Sequence, residues 1–137
     1  MLKELVLLAV ASSNTLPQYS APEVVVRKMF EAFNRHDASA MEQLYAPEAR
    51  LSSSDFCKPR GRADVQRTYG ALFMAFPDIR DEIEALVAQG DVVAVRFTAL
   101  SHAGNLELTI HTFLKIRNGL IVSDDSVFNA AGRPCEP

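Results

Sequence analysis

The sequence predicts an α+β domain in which three helices pack on one face of a mostly antiparallel sheet. Two observations support this class: apolar residues recur at helical spacing between residues 22 and 76, and short strands separated by turns fill residues 80–128. Helical segments followed by a run of adjacent strands are typical of α+β domains. A chain of 137 residues is long enough for one domain with a single core, which we place at residues 22–137.

The first helix is expected to begin after Ser20, which forms a predicted capping box with Glu23. Asp37 is the expected N-cap of a short second helix at residues 38–45. A short strand and a polar loop follow, and a third helix is expected at residues 63–76, where a proline ends it. The first helix has one apolar face, formed by Val26, Met29, Phe30 and Phe33.

Four strands are expected after the third helix, at residues 80–88, 92–100, 106–116 and 120–128. These segments are rich in valine, isoleucine, phenylalanine and threonine, and turn residues separate them. The last separator, Asn118-Gly119, is typical of a two-residue hairpin turn.

Two adjacent aspartates, Asp124 and Asp125, lie in the second arm of this hairpin, although strand interiors are depleted in aspartate. A regular register places Phe113 opposite Asp124 and His111 opposite Ser126, so these four residues share a face and Asp125 points away. A carboxylate beside an imidazole raises the pKa of the ring and makes a general base near neutral pH. Asp124 and His111 are therefore the candidate catalytic pair. The alternative is that they only satisfy each other at a cavity rim or a dimer interface.

Arg96 joins the His111 face if the turn at residues 102–105 is also a two-residue turn. It would then hold an oxyanion or a carboxylate. A different loop length would turn Arg96 outward and make it an ordinary surface arginine.

The other face of the same strand carries an apolar stripe, which favours a homodimer through the outer face of the sheet. The stripe consists of Leu106, Leu108, Ile110, Leu114 and Ile116.

Several segments resemble the nuclear transport factor 2-like superfamily and, within it, SnoaL-like and ketosteroid-isomerase-like proteins. They are VRKMFEAFNRHD at residues 26–37, LYAPEA at 44–49, GRADV at 61–65, DVVAVRF at 91–97 and RNGLIV at 117–122. The resemblance implies a cone-shaped fold in which the concave side of a curved sheet lines a pocket. It implies no single activity, because this scaffold hosts isomerases, cyclases, dehydratases, epoxide hydrolases and binding modules.

The residues that would carry ketosteroid isomerase chemistry are all replaced. The general-base aspartate of that family falls near Ser53, its tyrosine falls on Met29, and its second oxyanion donor falls on His111. Steroid isomerisation by that mechanism is therefore not expected. Asp55 lies in the polar loop, from which it could swing over the mouth of the pocket. The candidate ligand contacts are Arg96, Phe113, Ser126, Phe128, Met29, Ser53 and Asp55.

We predict a pocket for a small, largely apolar molecule. The resemblance implies proton transfer of isomerase, cyclase or dehydratase type, and nothing in the sequence requires a metal or an organic cofactor. Two alternatives stay open: a module that binds a hydrophobic ligand without converting it, and a dimeric association domain.

Composition limits the possible partners. The net charge of −3 and the absence of a lysine and arginine cluster argue against nucleic acid. The apolar run at residues 5–11 is too short to span a membrane. Residues 1–21 are a lead-in helix or a weak export signal, so a cytoplasmic location is expected, with export as the alternative. Cys57 and Cys135 could pair if the end of the chain folds back.

Overall fold

A computed structural model describes residues 18–137. The helices are α1 (Pro22–Asn34), α2 (Ala38–Gln43) and α3 (Val65–Ala75), and a 3-10 turn at Arg62–Asp64 precedes α3. The strands are β1 (Tyr45–Ser53), β2 (Arg60–Gly61), β3 (Arg80–Gln89), β4 (Val92–Ser101), β5 (Leu106–Arg117) and β6 (Leu120–Val127). Apart from residues 18–21, the predicted lead-in helix or export signal lies outside the described residues. Within the part of the chain that is described, no helix is long and apolar enough to cross a membrane.

The six strands form one open sheet in the order β2-β1-β6-β5-β4-β3. Neighbouring strands are antiparallel except β1 and β6, which are parallel. The α+β class and the mostly antiparallel sheet are therefore confirmed. The third helix follows a short strand and a loop, as predicted, and the structure adds the two-residue strand β2 and the 3-10 turn at Arg62–Asp64. A parallel pair needs a long crossover, and here α3 and four strands separate β1 from β6 along the chain.

The two predicted helix caps have different outcomes. Helix α1 begins at Pro22 after Ala21, without a hydrogen bond from a capping side chain, so the predicted cap at Ser20 is wrong. Proline suits the first helical position, because its φ is already helical and its missing N–H would have no partner there. Asp37 caps α2 as predicted: its Oδ1 accepts a hydrogen bond from the Ala40 amide at 2.9 Å.

The β5–β6 hairpin contains a bulge that the regular register does not include. The pairs next to the turn follow the prediction, but Lys115 then pairs with Ser123, which leaves Val122 as an extra residue. Asp124 consequently lies opposite Leu114 rather than Phe113. A shift of one residue reverses the face of every later side chain.

The prediction that Asp124 and His111 share a face is therefore wrong. Asp124 is buried on the inner side of the sheet, whereas His111 and Phe113 are exposed on the outer side. Arg96 pairs with His111 as predicted, yet both point outward, and the Arg96 guanidinium forms an ion pair with Glu84 at 2.9 Å.

The apolar stripe of β5 faces the helices rather than a second subunit. Leu114 and Ile116 belong to the buried core, and Leu106 and Ile110 pack against it. The stripe therefore does not support a dimer. On the outer face, the exposed large apolar residues are Val87, Phe113 and Val127.

The core lies between the helices and the inner face of the sheet. All four residues of the predicted apolar face of α1 are buried. Phe30 meets Phe97 of β4 edge to face, with 4.9 Å between ring centroids. Helix α1 therefore lies over the half of the sheet formed by β3, β4 and β5.

Gly104, in the β4–β5 turn, is a point of close approach between the sheet and the end of α3. A Cβ atom added there would lie 2.3 Å from Cδ1 of Phe76. Gly104→Ala should therefore displace the Phe76 ring and lower the free energy of unfolding by about 1–3 kcal/mol, measured by urea denaturation.

Gly70→Ala is the matched control for this substitution. Gly70 lies in α3, and a Cβ atom there would meet nothing within 4 Å. This change should raise stability by about 0.5–1 kcal/mol through helix propensity. Equal stability of Gly104→Ala and the wild type would contradict the contact.

Candidate functional site

A cavity of about 450 Å³ lies between the helices and the inner face of the sheet. Its size is in the range that small organic ligands occupy in proteins. Most of its wall is apolar, and the wall includes Met29, Phe33, Met41, Leu72, Phe97, Leu108, Ile110 and Leu114.

The Asp124 carboxyl group lies in this wall and accepts hydrogen bonds at both oxygens. The Tyr45 hydroxyl donates to Oδ2 at 2.6 Å, and the Thr112 hydroxyl donates to Oδ1 at 3.0 Å. Ser126 lies 3.4 Å from the same Oδ1 and donates to the Thr112 oxygen at 3.0 Å. Hydroxyl groups from β1, β5 and β6 thus converge on one carboxyl group.

Burial raises the pKa of Asp124, because a charge in an apolar wall loses its hydration. The hydrogen bonds from Tyr45, Thr112 and Ser126 act in the opposite direction, since they stabilise the carboxylate. Burial and the Asp124 charge raise the pKa of Tyr45, which therefore keeps its proton. The result is a carboxyl group that is more basic than a solvated aspartate and is held by neutral donors.

Tyr69 of α3 brings a second phenol to the cavity. Its ring packs edge to face against Phe33, with 6.0 Å between centroids. Burial is the largest cause of the raised pKa of Tyr69, and its proximity to the carboxyl groups of Asp124, Asp81 and Asp55 adds to it. The phenol is therefore neutral and lies within electrostatic range of three carboxyl groups.

Asp81 of β3 is a second carboxyl group in the cavity wall, and the sequence reasoning missed it. It pairs with Ala99, which pairs with Leu108, and all three residues line the cavity. Its Oδ1 atom is buried, and no hydrogen-bond partner for it exists among residues 18–137. Burial raises the pKa of Asp81 to about 8.

A sequence signal for Asp81 did exist. Ile79, Asp81 and Ile83 alternate with charged residues, and alternate residues of a strand share a face. Ile79 is buried and Ile83 packs against the core. The aspartate between them consequently faces inward.

The exposed side of the cavity is bordered by the β1–β2 loop and the last residues of the chain. Cys57 and Cys135 form a disulfide, with 4.9 Å between their Cα atoms. The Arg60 guanidinium lies 3.8 Å above the Phe56 ring, and it donates a hydrogen bond to the Pro137 backbone oxygen at 3.1 Å. These contacts hold residues 128–137 against the loop.

The predicted site residues divide into two groups. His111, Arg96 and Phe113 lie on the outer face and do not line the cavity, because the bulge reverses the register. Asp124 does line it, and its catalytic role stays a prediction. The other predicted contacts also line it, with untested roles toward a ligand: Met29, Ser53, Asp55, Ser126 and Phe128.

A family model described as a SnoaL-like domain matches residues 26–124. The matched region contains both cavity carboxyl groups. Among curated proteins, none is significantly similar to this chain in sequence.

Several solved structures share the fold. A loop-truncation variant of IdmH, a polyketide cyclase candidate from Streptomyces antibioticus, is 26% identical with a TM-score of 0.73, and the match covers 81% of this chain and 94% of that chain. A ketosteroid isomerase candidate from Kribbella flavida is 23% identical with a TM-score of 0.68, covering 85% and 83% of the two chains. A protein with a cystatin-like fold from Methylobium petroleophilum is 20% identical with a TM-score of 0.73, covering 83% and 80%. The last two show the fold alone.

Asp81→Asn should change how stability depends on pH. The pKa of the Asp81 carboxyl group is 3.8 in the unfolded chain and about 8 in the folded protein. Its raised folded pKa means that its contribution to stability is complete below the unfolded pKa and is lost as the pH rises through the folded pKa. The total loss has an upper bound of roughly 6 kcal/mol, at about 1.4 kcal/mol for each pKa unit.

We therefore expect the variant to match the wild type near pH 4 and to exceed it in stability near pH 8, measured by urea denaturation. Glu82→Gln, at the exposed neighbouring residue, is the control and should follow the wild type at both pH values. A difference between Asp81→Asn and the wild type that does not vary with pH would contradict the raised pKa.

Proposed function

Because this chain belongs to the SnoaL-like domain family, we propose that its cavity binds a small, largely apolar molecule and that Asp124 transfers a proton on it without a cofactor. One observation carries the proposal: a buried carboxyl group in an apolar cavity wall is held at both oxygens by hydroxyl donors. A buried carboxyl group is costly to maintain. Its presence is explained if the group acts as an acid or a base.

Asp124 is a suitable base for a carbon acid. Its carboxylate would take a proton from a carbon beside a carbonyl group. The electron pair of the C–H bond would form a C=C bond, and the π pair of the C=O bond would move to the oxygen to give an enolate. Return of the proton to a different carbon completes an isomerisation. Attack of the enolate on a second carbonyl completes a cyclisation, and the proton then passes to the new alkoxide. Burial raises the pKa of Asp124 toward the range in which both transfers are efficient.

The hydroxyl groups around Asp124 give this chemistry its geometry. Tyr45 fixes one oxygen at 2.6 Å, so the carboxyl group cannot rotate freely. The chain of donors from Ser126 through Thr112 leads to the other oxygen. The likeness to a polyketide cyclase candidate supports a cyclisation of this type.

A binding protein without turnover is the second candidate. The observation that favours it is that Tyr45 and Thr112 already satisfy both oxygens of Asp124. In that case the carboxyl group serves the structure of the wall, and the cavity holds a hydrophobic ligand unchanged.

Two finer expectations accompany the main proposal. A homodimer would use the outer sheet face, where Val87, Phe113 and Val127 are exposed, and sedimentation velocity tests it.

The Cys57–Cys135 disulfide is typical of oxidising compartments. It therefore favours export over the cytoplasmic location expected from sequence, and thiol titration of the denatured protein tests it.

Asp124→Asn should abolish proton exchange on a bound ketone. We expect the wild type to accelerate deuterium incorporation from D2O beside the carbonyl group of 2-tetralone, followed by proton NMR. Asparagine cannot accept that proton at neutral pH, so the acceleration should fall at least about 100-fold. Circular dichroism checks that the fold is unchanged.

Asp125→Asn is the matched control, because Asp125 is adjacent in sequence and exposed on the opposite face. It should exchange deuterium like the wild type. Binding of 2-tetralone without any acceleration by the wild type would exclude proton transfer on this ketone and favour the binding protein.

A further inference from the structure

Asp81 differs from Asp124 in having a buried oxygen, Oδ1, that has no hydrogen-bond partner among residues 18–137. Ala99, its pairing partner on β4, and Leu108, which pairs with Ala99 on β5, have no polar side-chain atom. The carbonyl oxygen of Ile79 is already bound by Nε2 of His36 at 2.7 Å. Buried polar atoms nearly always have a partner, and an exception at a cavity wall indicates a group that the ligand satisfies.

We propose that Asp81 is a ligand-binding residue whose carboxyl group donates a hydrogen bond to a carbonyl oxygen of the bound molecule. The inference rests on the proposed function, because it assumes that the cavity takes a small apolar ligand. It adds that this ligand carries an oxygen acceptor, as ketones, quinones and lactones do.

The backbone around Asp81 is held firmly. The Asn34 side chain at the end of α1 donates to the Asp81 carbonyl oxygen at 3.0 Å and accepts from the Asp81 amide at 2.8 Å. This two-point contact fixes β3 against α1. The carboxyl group is therefore presented to the cavity by a rigid strand, which lowers the entropy cost of binding a ligand.

The protonation state of Asp81 fits a donor. Burial is the cause of its raised pKa of about 8, so the group is a neutral acid at pH 7. The titratable side chain within electrostatic range of it is Tyr69 of α3, whose phenol keeps its proton. A neutral acid donates a strong hydrogen bond to a carbonyl oxygen.

The test compares a ketone with its parent hydrocarbon. Binding of 2-tetralone and tetralin is measured by NMR titration for the wild type, Asp81→Leu and Asp81→Asn. Leucine has no donor, so Asp81→Leu should weaken 2-tetralone binding roughly 10-fold and leave tetralin binding equal or tighter. Asparagine retains an N–H donor and should keep ketone affinity within about 3-fold. Glu82→Gln, on the exposed side of the same strand, should change neither affinity.

An unchanged ketone-to-hydrocarbon preference in Asp81→Leu would overturn the inference while leaving the apolar pocket intact. If neither probe binds the wild type, the proposed pocket itself is contradicted and the inference falls with it.

If Asp81→Leu does not fold, infrared difference spectra test the same hydrogen bond. The spectrum of the wild type minus that of Asp81→Asn should show the carbonyl band of a protonated carboxyl group at pH 7. That band should shift on addition of 2-tetralone and not of tetralin, and a band that does not respond would overturn the hydrogen bond.

Discussion

The extra residue at Val122 determines which side chains of β6 enter the cavity. Without this bulge Asp124 would share the outer face with Phe113, and the exposed Asp125 would point toward the helices. A carboxyl group on the inner side costs several kcal/mol unless it is hydrogen-bonded. The bulge is therefore tolerable only because Tyr45 and Thr112 stand where their hydroxyl groups reach Asp124.

Two carboxyl groups on the inner face of the sheet lie in unlike surroundings. Hydroxyl groups donate to both oxygens of Asp124, whereas the buried Oδ1 of Asp81 has no partner among the described residues and burial raises the pKa of Asp81 to about 8. Burial raises the pKa of both groups, but their hydrogen bonds differ, and in the proposed function Asp124 acts as the base and Asp81 as the donor. Both carboxyl groups and Tyr69 line the same cavity. In the proposed function this cavity offers a base for a C–H bond and a donor for the carbonyl oxygen beside it.

Much of the fold follows from local sequence patterns, and the site follows from pairing. Helix and strand positions, the Asn118-Gly119 turn and the unusual position of Asp124 are all visible in the sequence. The bulge is not, because Val122 is an ordinary strand residue and only its pairing shows that it is extra. Because of that single residue, the regular register wrongly placed His111 on the same face as Asp124. Asp81 was missed for a different reason: Arg80 and Glu82 beside it suggest a solvated segment, although its alternation with Ile79 and Ile83 indicates the inward direction that its pairing with Ala99 shows.

The disulfide has a consequence for the cavity rather than for the core. It joins Cys57 in the β1–β2 loop to Cys135 near the end of the described chain, and both residues are exposed. Arg133 and Glu136 of the crosslinked segment line the cavity. The buried Arg60 also holds this segment, because its guanidinium donates a hydrogen bond to the backbone oxygen of Pro137. The cavity wall therefore has two parts: the sheet positions the carboxyl groups, and the crosslinked segment closes part of the wall next to the β1–β2 loop.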